Sequence, residues 1–240
     1  MVQAIREEDL SIFQVCPKRF TFSKEHGFKF GVYVQGHELQ HPIHTMFKWV
    51  WTSQLRTGAK ATNRALKEKW GIIAPTWCIR QQMNMEETRD FVSKTFGIVS
   101  EYWKWYETSE FIPTATGVPV TIKMGRAVYT AIIPVLVSTA AGTTVLNSTI
   151  DKDERETITD YVVRARLFAA TTLVDSSTSV SLINFRFGRS LTSFTLRAKR
   201  FCTPEFKNNL TYMLNSIVRE VNYPIRGCEL VCPFRKICTE

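Results

Sequence analysis

No apolar run in this 240-residue chain approaches the roughly 20 residues needed to cross a bilayer. The opening stretch, MVQAIREEDL, carries charges of both signs and lacks the apolar core of a secretion signal. Internal repeats, low-complexity tracts and a recognisable linker are also missing, which leaves one domain over residues 1–240 as the economical reading. These absences place the chain inside a cell or within a virion, where thiols stay reduced and disulfides are rare. Acidic residues are in short supply, 22 against 31 lysines and arginines, for a net charge of +9. The resulting positive field suits nucleic acid, an acidic protein or an anionic surface. Hydrophobic residues make up 44% and aromatics 12%, enough to build a large core and to exclude wholesale disorder.

The spacing of apolar residues divides the chain into three parts. Residues 1–112 read as helical, with a short helix over 8–22 broken at Cys16-Pro17. A buried helix follows over 44–55, ending before Gly58, then a continuation over 63–70, and a long helix over 85–105. The sheet core, 113–202, opens with β-branched runs over 118–123, 127–138 and 143–150, expected as consecutive antiparallel strands. A helix over 154–173 and strands over 179–187 and 193–200 complete it. The last part, 203–240, starts with Thr203 as N-cap and Pro204 as first helical residue, continues to about 221, and ends in a cysteine-rich tail. The order specifies an α/β fold.

The tail places Cys228, Cys232 and Cys238 within eleven positions, with Pro233 after the second. Such a compact loop turns thiolates toward one ion or cluster. Cys16, in the segment SIFQVCPKRF, is the candidate fourth ligand, because it shares the Cys-Pro pairing and the basic neighbours. Iron in a four-iron cluster and a single zinc both accept four thiolates. Either would staple the two chain ends together. Cys78 and Cys202 stand alone among apolar residues and are expected as core thiols.

Together, SIFQVCPKRF and YPIRGCELVCPFRKIC resemble the iron–sulfur branch of the RecB-like PD-(D/E)XK nucleases. That family includes CRISPR-associated and phage exonucleases. The resemblance implies a mixed sheet flanked by helices and a [4Fe–4S] cluster on Cys16, Cys228, Cys232 and Cys238. Cys228 and Cys232 are separated by three residues where two are commoner. The resemblance also implies a metal-dependent site: a histidine on an early helix, a carboxylate on one strand, an acidic-x-Lys pair on the next and a Gln-x-x-x-Tyr helix. Laid on this chain, the histidine is His44, with His41 as the alternative. The carboxylate position falls on Ile133 or Pro134, the acidic-x-Lys pair on Asn147 and Thr149, and the helix positions on Arg164 and Phe168. An alternative register on SLINFRFG supplies Asn184 and Arg186, again without an acid. Asp151, Asp153, Glu154 and Glu156 are the nearby acids, and they suit the first turn of a helix.

The expectation is therefore a catalytically inactive nuclease-fold protein that keeps its cluster. It would serve as a structural or assembly subunit with protein partners, such as a phage particle or other nucleoprotein complex, and with no membrane contact. The alternative is a non-catalytic nucleic-acid-binding module. Lys18, Arg19, Arg226, Arg235 and Lys236 beside the cysteines are candidate phosphate contacts, with Arg164, Arg166, Arg186, Arg189, Arg197, Lys199 and Arg200 further along. An active nuclease with a displaced acidic site is the third reading.

Overall fold

A computed structural model describes residues 3–17, 20–21, 41–150, 152 and 154–219. Its strands are β1 (Gln3–Arg6), β2 (Ile112–Met124), β3 (Ala127–Thr139), β4 (Gly142–Ile150), β5 (Val180–Phe187) and β6 (Leu191–Arg197). Its helices are α1 (Glu7–Val15), α2 (Pro42–Thr57), α3 (Asn63–Arg80), α4 (Met85–Thr108), α5 (Glu154–Thr159), α6 (Tyr161–Thr171), α7 (Ala198–Phe201) and α8 (Pro204–Val218). Together they form a mixed, open sheet flanked by helices. No helix among the described residues is long and apolar enough to cross a membrane.

β3 organises the sheet. One edge pairs antiparallel with β2 along nearly its full length, from Met124↔Ala127 to Ile112↔Ser138. The other edge is shared. Its first residues, Ala127 to Thr130, pair parallel with β1, and its last, Val135 to Thr139, pair antiparallel with β4. Between these two partners the edge forks. β4 then pairs parallel with β5 through the α5–α6 crossover, and β5 forms a hairpin with β6.

Buried residues gather into two cores. Ala127, Tyr129, Ala131 and Ile133 of β3 join α1, α6 and α8 in the first. Val135 and Val137, further along the same strand, join α2, α3 and α4 in the second, with Phe185 and Phe187 of β5. A thirteen-residue strand thus serves both cores.

Local signals account for most boundaries. Pro42 opens α2 and Gly58 closes it at φ 72°, a left-handed conformation that glycine adopts without steric cost. Asn84 and Glu87 cap α4 reciprocally, and Thr203 accepts from Phe206 N–H ahead of Pro204.

Four elements differ from the sequence reading. The strand expected over 193–200 ends at Arg197, where α7 begins. The N-terminal part is not wholly helical, because Gln3–Arg6 adds β1 to the sheet. α3 does not stop near Trp70 but runs to Arg80 through Pro75. Leu66, Trp70 and Ala74 bury one stripe against the second core, which offsets the helix-breaking cost of an interior proline, about 3 kcal/mol. The helix expected over 154–173 is two helices. Asp160 interrupts it and caps α6 by accepting from Val162 N–H at 2.8 Å.

Candidate functional site

The fork in the sheet opens a pocket of about 260 Å³, lined by His44, Pro134, Asn147, Thr149, Asp160 and Arg166 among others. Along this edge at the fork, β3 has no neighbouring strand among the described residues. Ile132 N–H donates instead to Glu7 Oε1, 2.9 Å away. Backbone direction alternates along a strand, so residue 134 faces the same gap two residues later. Proline there has no N–H to leave unpaired, which suits an unpaired stretch of edge.

Glu7, in the first turn of α1, is the anchor of the site. Arg166 on α6 grips both of its carboxylate oxygens, Nε to Oε1 at 2.9 Å and Nη2 to Oε2 at 2.8 Å. The third arm of the guanidinium, Nη1, donates to Asn147 Oδ1 at 2.7 Å. Asn147 Nδ2 passes the chain on to Asn184 Oδ1 at 2.7 Å, and Asn184 Nδ2 to Thr149 Oγ1 at 2.8 Å. Asn147 and Asn184 are fully buried, and the Glu7 and Arg166 side chains are 5% and 11% exposed. Burial by itself would lower the Arg166 pKa, but the Glu7 carboxylate outweighs it and holds the guanidinium above its ordinary value. A single donor-to-acceptor direction runs from Arg166 to Thr149, so every amide in the chain has a partner.

A second set of bonds closes the other side. Asp160 Oδ1 accepts from Gln14 Nε2 at 3.3 Å, and Oδ2 from Lys152 Nζ at 3.1 Å. Gln14 Oε1 takes Tyr161 N–H, so α1 clips the start of α6. His44 Nδ1 lies 2.6 Å from Ser148 Oγ. Burial, then the positive groups His41, Arg166 and Lys152, push its pKa down to about 3. It is neutral at pH 7.

Four of the positions read from the sequence, His44, Pro134, Asn147 and Thr149, therefore meet around one pocket. Ile133, the alternative to Pro134, points into the first core and is fully buried. Asn184 belongs to the same network as Asn147, so both strand registers contribute. His41 instead caps α2, and its ring stands 5.0 Å from Trp77.

Arg164 faces away from the pocket. It donates to Phe201 O at 2.8 Å and lies 4.1 Å over the Phe206 ring. Burial lowers its pKa. Phe168, the other helix position, packs at the edge of the first core with Lys207 over its ring. Glu7 and Asp160 were not singled out from the sequence. Asp160 did carry a signal, a capping residue directly ahead of the apolar run YVV. Glu7 carried none, because an acid in a first helical turn has an ordinary reading.

This donor set does not fit a divalent cation. Both oxygens of Glu7 are held by Arg166 and Ile132 N–H, and those of Asp160 by Val162 N–H, Gln14 and Lys152. A metal would have to displace a guanidinium from the centre of the site. Among the described residues no group of three or more His, Cys, Asp or Glu side chains is placed to hold a metal.

Of the cluster candidates, Cys16 is half-buried at the C-terminal end of α1, its N–H donating to Ile12 O. Cys228, Cys232 and Cys238 lie outside the described residues, as do Lys18, Arg19, Arg226, Arg235, Lys236, Asp151 and Asp153. α1 packs on α8, which ends at Val218, ten residues before Cys228. Cys78 is buried as expected, whereas Cys202 is half-buried against the first core; burial raises both thiols, that of Cys202 to about 11.

No protein-family model and no curated protein matches the sequence. Among solved structures, the crystal structure of SSO0001 aligns over 96% of this chain and 85% of its own, at 12% identity and a TM-score of 0.42.

Proposed function

We propose that this chain is a catalytically inactive protein of PD-(D/E)XK nuclease-like fold that acts as a structural or assembly subunit of a larger complex, a phage particle being one setting. In this reading Cys16, Cys228, Cys232 and Cys238 hold a [4Fe–4S] cluster, or a zinc ion in its place, and clamp the chain ends. The observation that carries the inactive assignment is Arg166. Its guanidinium sits among the residues where the nuclease reading would look for a metal ion, and it is bonded by Glu7 and Asn147, which supports a site without metal-assisted hydrolysis. An internal positive charge of this kind neutralises the buried Glu7 carboxylate, as Lys152 does that of Asp160.

A nuclease assay tests it. The purified chain, given single- or double-stranded DNA with Mg²⁺ or Mn²⁺, should cut neither. Metal-dependent cleavage that stays with the protein through purification, and disappears in Asp151→Asn or Asp153→Asn variants, would overturn the reading. Proteins that co-purify from the native source identify the assembly.

A non-catalytic nucleic-acid-binding module is the second reading. It is favoured by the net charge of +9 on the chain. A steep fall of nucleic-acid affinity with salt separates it from the first.

A further inference from the structure

A second concavity, of about 480 Å³, lies where β6 turns into α7, and it shares no lining residue with the fork. Arg197 ends β6 and the four-residue α7 follows at once, so Arg197, Lys199 and Arg200 crowd one corner of the fold. All three are exposed, and none has an ion pair among the described residues. Beneath them the pocket is apolar: Leu196 is buried, and Ile158 of α5 and Phe201 are half-buried against the first core. The Arg200 guanidinium stands 5.5 Å from the centre of the Phe201 ring, at the border between charge and apolar floor. Glu154 is the acid in the lining, against three cations.

Cations this close repel one another, and an anionic partner relieves that repulsion. The kind of anion follows from what lies between them. Interfaces with nucleic acid are more polar and much more positive than those between proteins. An apolar floor inside an arginine-bearing rim is instead the layout of a protein interface. A phosphate backbone also carries a charge at every step, which Glu154 opposes, whereas a peptide can set a neutral residue beside that acid. The volume falls within the roughly 300–1,000 Å³ of ligand pockets, which suits the anchor of a linear segment rather than the face of a folded domain.

We infer that this corner docks a linear segment of a partner protein, in which an apolar anchor is flanked by aspartates or glutamates. The anchor covers Ile158 and Phe201, and the flanking carboxylates reach Arg197, Lys199 and Arg200. The guanidinium forks of Arg197 and Arg200 can each take both oxygens of a carboxylate. The inference rests on the assembly-subunit reading and adds the surface and the chemistry of its partner.

Fluorescence anisotropy with the full chain tests the inference. The probe is a short labelled peptide with a leucine–phenylalanine anchor between runs of glutamate, and saturable binding is expected. Arg197→Glu/Arg200→Glu should weaken it by about tenfold, because two surface attractions become repulsions. The same double variant should bind the peptide remade with lysine for glutamate, which a misfolded chain would not do. Serine in place of the anchor should weaken binding to the unaltered chain. A chain that does not bind the glutamate peptide, or binds it equally after the charge reversal or without the anchor, overturns the inference. So does oligothymidylate that binds more tightly than the peptide and is lost in the double variant, since the corner then belongs to nucleic acid. Protein partners that co-purify undiminished with the double variant leave the assembly reading standing and overturn the role of this corner in it.

Discussion

Removing Arg166 should cost this protein about 3–5 kcal/mol, because the change strands a buried carboxylate. In Arg166→Met the aliphatic stem of the side chain is kept, while Glu7 loses two of the three bonds around it and keeps the one from Ile132 N–H. Asn147 Oδ1 loses its donor as well. Glu7→Gln leaves the opposite fault, a buried guanidinium with one neutral partner in place of a charged one. The double variant Glu7→Gln/Arg166→Met removes both charges and should be less damaging than the sum of the two single changes, with a coupling of about 2–3 kcal/mol.

Urea unfolding at pH 7.5 measures all four members of this cycle. For a slope of about 2–3 kcal/mol per molar, each single change should move the midpoint down by about 1–2.5 M. Native-state hydrogen exchange of residues 3–15 should accelerate in both single variants, because Glu7 is what fastens β1 and α1 to the fork. Single changes costing under about 1 kcal/mol, the range of a solvent-screened pair, would refute the argument, and so would strict additivity.

Two further outcomes follow from other groups. His44 is depressed to about 3 in the fold against 6.5 unfolded, so the unfolded chain binds the extra proton in that window. Stability from this residue is fully present above pH 6.5 and falls with pH, by up to about 1.4 kcal/mol per unit, until about pH 3; His44→Gln should flatten that dependence in denaturant melts. The protein purified without oxygen should be brown with about four irons per chain, and Cys16→Ser should lower iron content and melting temperature as much as Cys232→Ser does. One zinc and no iron would replace the cluster with the alternative metal. Harm from Cys232→Ser alone would remove Cys16 from the ligand set.

The helices and strands were legible where the information is local. Asn84 with Glu87, Thr203 with Pro204 and the β-branched runs around β3 and β4 each announce an element within a few residues. β1 is four residues long and runs straight into α1, too short to show an alternation, and its place is set by β3 more than 120 residues away. α3 crosses Pro75 only because its buried stripe has a core to meet.

The site was legible by subtraction, and its contents were not. Pro134, Asn147 and Thr149 were marked only by the resemblance to metal-dependent nucleases, and the structure brings them around one pocket. What fills the space instead is a pair 159 positions apart, Glu7 and Arg166, which no local pattern connects. The helix register shows how narrow the margin was. The sequence argument placed Arg164 at the functional position, and the residue that enters the fork is Arg166 on the same helix. Two residues at about 100° each turn a side chain by about 200° around a helix, onto the opposite face. That rotation separates a guanidinium stacked on Phe206 from one that closes the pocket on Glu7 and Asn147. A slip too small to disturb the α/β assignment therefore decides which arginine shuts the site. The choice rests on whether a carboxylate waits at the fork, and Glu7 supplies it.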